Sequence, residues 1–152
     1  CSRLTEKEVN MASTVVVRSV AEERFTQIVE TGKHQLFADE SESFGGSDQG
    51  PGPYEYLLAA LGSWTSITLR MYAERKNLAL RKVEIELSHQ RIHAKDCEDC
   101  ETKEGMFDEI RSEIHLEGDL DEAQRKRLLQ ISTRCPVHRT LSSEIKIRTI
   151  AI

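Results

Sequence analysis

The chain has the size of one globular domain, and its composition excludes several classes of protein. It has 152 residues, of which 31% are charged and 38% hydrophobic, and a net charge of −5 at pH 7. A chain of this length can bury a core without metals or disulfides. The acidic balance is the opposite of the basic surface that nucleic acids require, so we expect no nucleic-acid partner. We assign residues 13–152 to a single domain, after a polar leader at residues 1–12 that is disordered or was added for expression.

The sequence predicts neither a membrane span nor a secreted protein. The longest stretch without charge, residues 56–69, is shorter than the roughly 20 apolar residues that cross a bilayer. The internal cysteines, Cys97, Cys100 and Cys135, are too few and too unevenly spaced for a secreted disulfide framework. We therefore expect a reducing, cytoplasmic location.

The first third of the chain predicts a small antiparallel meander. Residues 13–20, 24–31 and 34–39 are short segments rich in β-branched or alternating residues, and Gly32-Lys33 joins the last two. Residues 45–53 then hold four of the eight glycines and two of the three prolines. This composition predicts a loop that ends the sheet.

Residues 54–76 predict a long helix that is buried on much of its circumference. Its apolar positions recur at helical spacing in two neighbouring stripes. One stripe holds Leu57, Leu61, Trp64 and Met71, and the other holds Leu58, Thr65, Leu69 and Tyr72. So wide an apolar surface is typical of a helix in the core of a domain.

Two half-buried strands are predicted after this helix. Val83, Ile85 and Leu87 alternate with charged residues within residues 80–93, as in a sheet with one buried face. An acidic loop at residues 94–105 separates this strand from a second alternating one, which contains Ile110, Ile114 and Leu116.

Two helices and a last strand are predicted to close the chain. Asp119 is expected to cap the first helix, with Glu122 completing a capping box. Proline suits a first helical turn, so Cys135-Pro136 predicts the start of a second, short helix. Residues 144–152 are predicted to form a final strand. The order βββ-α-ββ-αα-β is that of an α+β domain.

Three stretches of the sequence occur in an order that points to one family. They are Gly50-Pro51-Gly52-Pro53-Tyr54-Glu55-Tyr56-Leu57-Leu58-Ala59-Ala60-Leu61-Gly62 at the start of the long helix, the alternating strand after it, and Cys135-Pro136-Val137-His138. In these stretches the chain resembles the OsmC/Ohr family of thiol-based redox proteins. The resemblance implies an OsmC-like fold, an intertwined homodimer, and two cysteines that meet near the subunit interface to reduce organic hydroperoxides. In that cycle one cysteine becomes a sulfenic acid, which the other resolves as a disulfide.

The family's attacking cysteine would fall two residues after Gly62, where this chain has Trp64. An indole forms no thiolate, and the thiolate is the species that attacks peroxide. The resemblance therefore implies that peroxidase activity is lost or much weakened. We expect Trp64 to fill or cap the family's small pocket, to be a core residue of the buried stripe, or both.

Glu55 and Arg24 are a looser match to the family. The resemblance implies a carboxylate near the start of the long helix that positions an arginine over the reactive sulfur. Glu55 is the nearest acid, and Arg24 from the early strands would be its partner. The alternative role for Glu55 is to complement the helix dipole from the first turn.

Cys135 is the candidate for a remaining redox thiol. It lies at a predicted helix start, and Arg134, His138 and Arg139 lie close in sequence, so its surroundings favour the thiolate. The alternative is a buried cysteine that packs as a small hydrophobic residue.

A second cluster of candidate residues follows the first alternating strand. Cys97 and Cys100 have the spacing that can hold a tetrahedral metal such as zinc or close a small disulfide, and His93 and His89 are candidate further ligands. The acidic residues around these cysteines disfavour a thiolate but assist a bound cation. A metal site, a reversible disulfide and free surface thiols stay open as alternatives.

Three hypotheses of function follow. The first is an OsmC-like redox or stress-response protein in which Cys135 can still be oxidised. The second is a non-catalytic protein that binds an apolar small molecule in the dimer cleft around Trp64. The third is a metal-binding module at Cys97 and Cys100.

Overall fold

The computed structural model describes residues 14–98, 101 and 104–152. The chain divides into two compact units, residues 1–56 and residues 57–152. The predicted leader at residues 1–12 lies outside the described residues. Within the described part of the chain, no helix is both long enough and apolar enough to cross a membrane.

The first unit contains the predicted antiparallel meander. Its strands are β1 (Val16–Ser19), β2 (Gln27–Thr31) and β3 (His34–Ala38), paired in the order β1-β2-β3. Thr31 pairs with His34, so Gly32-Lys33 forms a two-residue hairpin turn as predicted. Gly32 has a φ of +56°, a left-handed conformation that glycine adopts without a steric cost and that such turns require.

A buried carboxylate fixes the loop that follows β3. Asp39 is only 3% exposed. Its Oδ2 accepts hydrogen bonds from Thr26 Oγ1 (2.8 Å) and from the backbone N–H groups of Ser47 (3.3 Å) and Gln49 (3.2 Å). Its Oδ1 accepts one from the backbone N–H of Glu40 at 2.8 Å. Burial raises the pKa of the Asp39 carboxyl, but the hydrogen bonds from Thr26 and the three N–H groups outweigh burial and leave the pKa below its usual range.

The second unit contains the predicted strand pair and helices. Its elements are β4 (Ala79–His93), β5 (Met106–Asp119), α2 (Glu122–Ser132) and α3 (Pro136–Leu141), and the long helix α1 spans Pro53–Arg75 across the boundary between the units. β4 and β5 pair antiparallel as a two-stranded sheet. Ile85 pairs with Ile114, so the alternating apolar residues of both strands share one face, as predicted.

The core of the second unit is a cluster of buried aliphatic side chains. Leu69 of α1 and Leu128 of α2 are fully buried, and Leu120 and Ile131 complete the cluster. Partly buried residues of both strands pack against it, among them Val83. Burying one leucine side chain contributes about 1.5–3 kcal/mol to folding.

Burial along α1 is narrower than the sequence suggested. The buried residues are Leu61, Thr65, Leu69 and Ala73, which recur every four residues and form a single stripe. Trp64, Ile67 and Met71, by contrast, are 39%, 42% and 52% exposed. In the single chain, α1 therefore buries one face and leaves apolar side chains exposed on another.

Two predictions in the last third of the chain are wrong. The cap of α2 is Asp121, whose side chain accepts from the N–H of Gln124 in a reciprocal capping box. Asp119 still belongs to β5, where it pairs with Ala79, so the helix cannot begin there. Residues 144–152 form no strand and pair with none of the described strands.

The Asp39 network predicts an acid-sensitive contribution to stability. Because its pKa is lowered in the folded state, the ionised carboxyl stabilises the fold above its unfolded pKa and loses this effect as the pH falls through the lowered value. We expect Asp39→Asn to lower the free energy of unfolding at pH 7, and the difference from the wild type to shrink below about pH 4. Urea unfolding followed by circular dichroism measures both effects.

Glu40→Gln is the matched control for this prediction. It removes the same charge one position away, where only the backbone N–H joins the Asp39 network. An equal loss of stability in both variants at pH 7 would contradict the role assigned to Asp39.

Candidate functional site

Cys135 lies at the junction of α2 and α3, where its sulfur is fully buried. It caps α3 as predicted, with Pro136 in the first turn and the backbone N–H of His138 donating a hydrogen bond to Sγ at 3.2 Å. Thr65 Oγ1 donates a second hydrogen bond to Sγ at 3.4 Å. Cys135 is a free thiol, so its sulfur combines full burial with two donors directed at it.

Thr65 is the site residue that the sequence analysis missed. It lies on the buried stripe of α1 and is only 5% exposed. A hydroxyl between Leu61 and Leu69 on a buried face needs a hydrogen-bond partner, and this signal was present in the sequence. The sequence does not reveal which residue is the partner, because Cys135 lies 70 residues further along the chain.

The basic residues around Cys135 contribute less directly than predicted. Among the described residues, the hydrogen bonds to Sγ come from a hydroxyl and a backbone N–H. Arg134 and Arg139 are exposed, whereas His138 is half-buried. None of these three side chains is among the hydrogen-bond donors to Sγ in the described part of the chain.

Trp64 precedes Thr65 on α1 but lies outside the buried stripe. Its side chain is 39% exposed, so in the single chain it is not a core residue. Ile67 and Met71, one and two turns further along the same side of the helix, are exposed too. Together these three residues form an apolar surface, which we call the α1 outer face.

The structure does not bring Glu55 and Arg24 together as an ion pair within the described part of the chain. Glu55 Oε2 accepts a hydrogen bond from the backbone N–H of Gly52 at 2.7 Å, so this carboxylate satisfies a donor at the start of α1. The guanidinium of Arg24 lies 4.7 Å from the ring centroid of Phe25 and close to Gly45. The geometry thus gives Glu55 a role at the helix terminus.

The candidate metal ligands near the acidic loop are already engaged. Nε2 of His89 lies 2.9 Å from Oδ1 of Asp108, and Nδ1 of His93 accepts from the backbone N–H of Lys95. Cys97 is in a disulfide, and Cys100 lies outside the described residues. A disulfide sulfur carries no thiolate, so Cys97 can ligate zinc only after that bond is reduced.

We expect this disulfide to protect Cys97 from alkylation. In the native protein, iodoacetamide should leave Cys97 unmodified until dithiothreitol reduces the bond, because only the free thiolate reacts. Peptide mass spectrometry measures the modification. Cys135→Ser serves as the control and should leave the result unchanged, since Cys135 is a free thiol. Complete labelling of Cys97 before reduction would rule out the disulfide.

Solved structures with the same fold come from several bacteria. An OsmC-like protein from Mycoplasma pneumoniae superposes with a TM-score of 0.67 and 19% identity, covering 87% of this chain and 88% of that one. An organic hydroperoxide resistance protein from Legionella pneumophila gives 0.62 and 15%, covering 86% and 89%. OhrB of Bacillus subtilis, also an organic hydroperoxide resistance protein, gives 0.57 and 15%, covering 86% and 90%. At these identities the likeness shows the fold.

The family assignment comes from the sequence itself. No curated protein matches the chain. The model of the OsmC family, described as OsmC-like protein, matches residues 46–150, which is more than half of the chain. The match includes α1 with Trp64, both strands of the second unit, and the junction that holds Cys135. This chain therefore belongs to the OsmC-like protein family.

Proposed function

We propose that this chain is a cytoplasmic redox and stress-response protein, related to thiol-dependent hydroperoxide reductases, that retains one redox thiol of the family's pair. Membership of the OsmC family supports the general class. Two proteins of the same fold are named for organic hydroperoxide resistance. The observation that carries the proposal is the buried free thiol of Cys135, which is hydrogen-bonded to the residue next to position 64.

The two-cysteine cycle has no first step in this chain. In that cycle a thiolate attacks the terminal oxygen of the hydroperoxide, an S–O bond forms as the O–O bond breaks, and the alkoxide leaves and takes up a proton. The second thiol then attacks the sulfenic sulfur, and water leaves as the disulfide forms. Trp64 cannot supply the first thiolate, since an indole has no ionisable sulfur.

Cys135 can follow a slower, one-thiol route. Its thiolate reacts with an alkyl hydroperoxide to give the sulfenic acid and the alcohol. A small thiol then forms a mixed disulfide with loss of water, and a second small thiol releases Cys135 and leaves as the small-molecule disulfide. The sulfur is fully buried, so each turnover requires a local opening of the chain. We therefore expect little or no multi-turnover peroxidase activity.

Restoring the missing sulfur is the sharpest test. Trp64→Cys should gain turnover of tert-butyl hydroperoxide with dithiothreitol, because it returns a nucleophile one residue from the Thr65–Cys135 contact. We expect the rate to exceed that of the wild type by at least about tenfold, equivalent to about 1.4 kcal/mol of activation free energy. Hydroperoxide consumption measures it.

Two further variants separate the effects of the indole and the sulfur. Trp64→Ala removes the indole without adding a thiol and should stay inactive. Adding Cys135→Ser to the Trp64→Cys variant should remove the internal disulfide and slow the recovery step. A folded Trp64→Cys variant without any gain would count heavily against the proposed function. Saturable binding of an apolar ligand in the absence of any Cys135 oxidation would favour the alternative, a non-catalytic binding protein.

We also propose that the protein is a homodimer. The α1 outer face exposes Trp64, Ile67 and Met71, and an exposed apolar surface of this kind marks an interface in many proteins. The segment 144–152 adds four isoleucines that are between 52% and 117% exposed: Ile145, Ile147, Ile150 and Ile152. A segment that is rich in isoleucine and forms no strand in the described structure is suited to pair with a strand of a second copy.

Sedimentation equilibrium tests the dimer. We expect a mass of twice the 17.3 kDa chain, and a shift towards the monomer when Ile147 and Ile150 are both changed to aspartate. Changing one exposed neighbour, Thr149→Asp, adds a charge without removing apolar contact area and should have the smaller effect. A monomeric wild type at micromolar concentration would overturn the dimer and the ligand cleft that depends on it.

A further inference from the structure

The hydroxyl of Thr65 has an unusual partner for a helical threonine. Threonine in a helix commonly bonds back to the carbonyl one turn earlier. Thr68, three residues along the same helix, does this with the carbonyl of Trp64 at 2.8 Å. Thr65 instead directs its hydroxyl to Sγ of Cys135 at 3.4 Å. The local helix geometry permits the ordinary bond, so the contact with sulfur reflects the position of Cys135.

Both partners of this contact are shielded from water. Thr65 is 5% exposed and Cys135 is fully buried. Hydrogen bonds and charges interact more strongly in such surroundings than in water. A thiol sulfur is a weak acceptor, whereas a thiolate is a strong one, so donors directed at sulfur stabilise the ionised form.

The second donor comes from α3 and is part of its cap. The backbone N–H of His138 donates a hydrogen bond to Sγ at 3.2 Å. This bond is present as long as Cys135 caps α3. Of these two hydrogen bonds, the one from Thr65 is the one that a side-chain substitution can remove while the backbone stays unchanged. Thr65 is therefore the side chain through which the chemistry of this sulfur can be adjusted.

We propose that Thr65 is a positioning residue for Cys135, whose hydroxyl orients the sulfur and stabilises the thiolate from which oxidation begins. This inference rests on the proposed function, because it concerns the thiol assigned there. It identifies the residue after position 64 as part of the thiol site irrespective of the side chain at position 64. The side chain of Thr65 fills space in the core, and its hydroxyl donates a hydrogen bond to the sulfur of Cys135.

The test measures ionisation directly and needs no access of a reagent to the buried sulfur. The ultraviolet absorbance of the thiolate is recorded from about pH 5 to pH 10, and the spectrum of Cys135→Ser is subtracted to isolate Cys135. We expect Thr65→Val to reduce the thiolate fraction roughly tenfold at a pH where the wild type is only partly ionised, the effect of losing one hydrogen bond to a charged group. Thr65→Ser, which keeps the hydroxyl, should resemble the wild type.

Matched variants separate the hydroxyl from packing. Thr68→Val makes the same chemical change on α1 at a hydroxyl that bonds to a carbonyl, and it should leave the titration unchanged. Thr65→Ser and Thr65→Ala are both smaller than threonine and differ only in the hydroxyl, so this pair decides the matter if the valine variant fails to fold. Equal titrations for the serine and alanine variants would overturn the proposal.

A separate measurement distinguishes this inference from the proposed function. Trapping the sulfenic acid of Cys135 with dimedone after addition of tert-butyl hydroperoxide reports whether the thiol is oxidised at all. If the wild type forms none, the proposed redox role fails, whereas the titration still decides whether Thr65 stabilises the thiolate. If oxidation occurs and is slower in Thr65→Val but not in Thr65→Ser, the result supports both the proposed redox function and the role of Thr65.

Discussion

The packing of α1 against α2 is the interaction on which the second unit depends. Leu69 and Leu128, one from each helix, are both fully buried in one cluster. The same stripe of α1 carries Thr65, one turn before Leu69, and this places its hydroxyl on the sulfur of Cys135. The contact between Thr65 and Cys135 is therefore built on the core packing of Leu69 and Leu128. A close approach of α1 to β4 supports this packing, since a Cβ added at Gly62 would lie 2.7 Å from Leu87 Cδ1.

The sequence predicted elements best where one buried face dictates the pattern. The alternation in β4 and β5 follows from burying one side of a sheet, and the observed pairing of Ile85 with Ile114 agrees with it. The start of α3 at Cys135-Pro136 could be predicted because proline and a capping residue have defined places in a first helical turn. These signals arise from residues that are close together in the sequence. They can therefore be recognised in a single chain without knowledge of its tertiary contacts.

The failures concern partners that lie elsewhere in the chain or outside it. Asp119 and Asp121 are both acceptable caps, and the pairing of Asp119 with Ala79 in β5 decides between them. The four isoleucines of residues 144–152 favour a strand, but the sequence of this segment does not show which strand would pair with it. The contact between Thr65 and Cys135 spans 70 residues, and a contact of that range depends on how the helices pack.

The position of Trp64 explains how the fold accommodates a large side chain at residue 64. Residue 64 lies outside the buried stripe of α1, so a large indole there leaves Leu61, Thr65 and Leu69 in place. A tryptophan in place of a smaller residue on a buried face would overpack the core at a cost of about 1–3 kcal/mol. On the α1 outer face it adds apolar surface beside Ile67 and Met71, which favours association with another apolar surface. Because position 64 lies on a different side of α1 from the buried stripe, its side chain can be large without disturbing the core or the hydrogen bonds around Cys135.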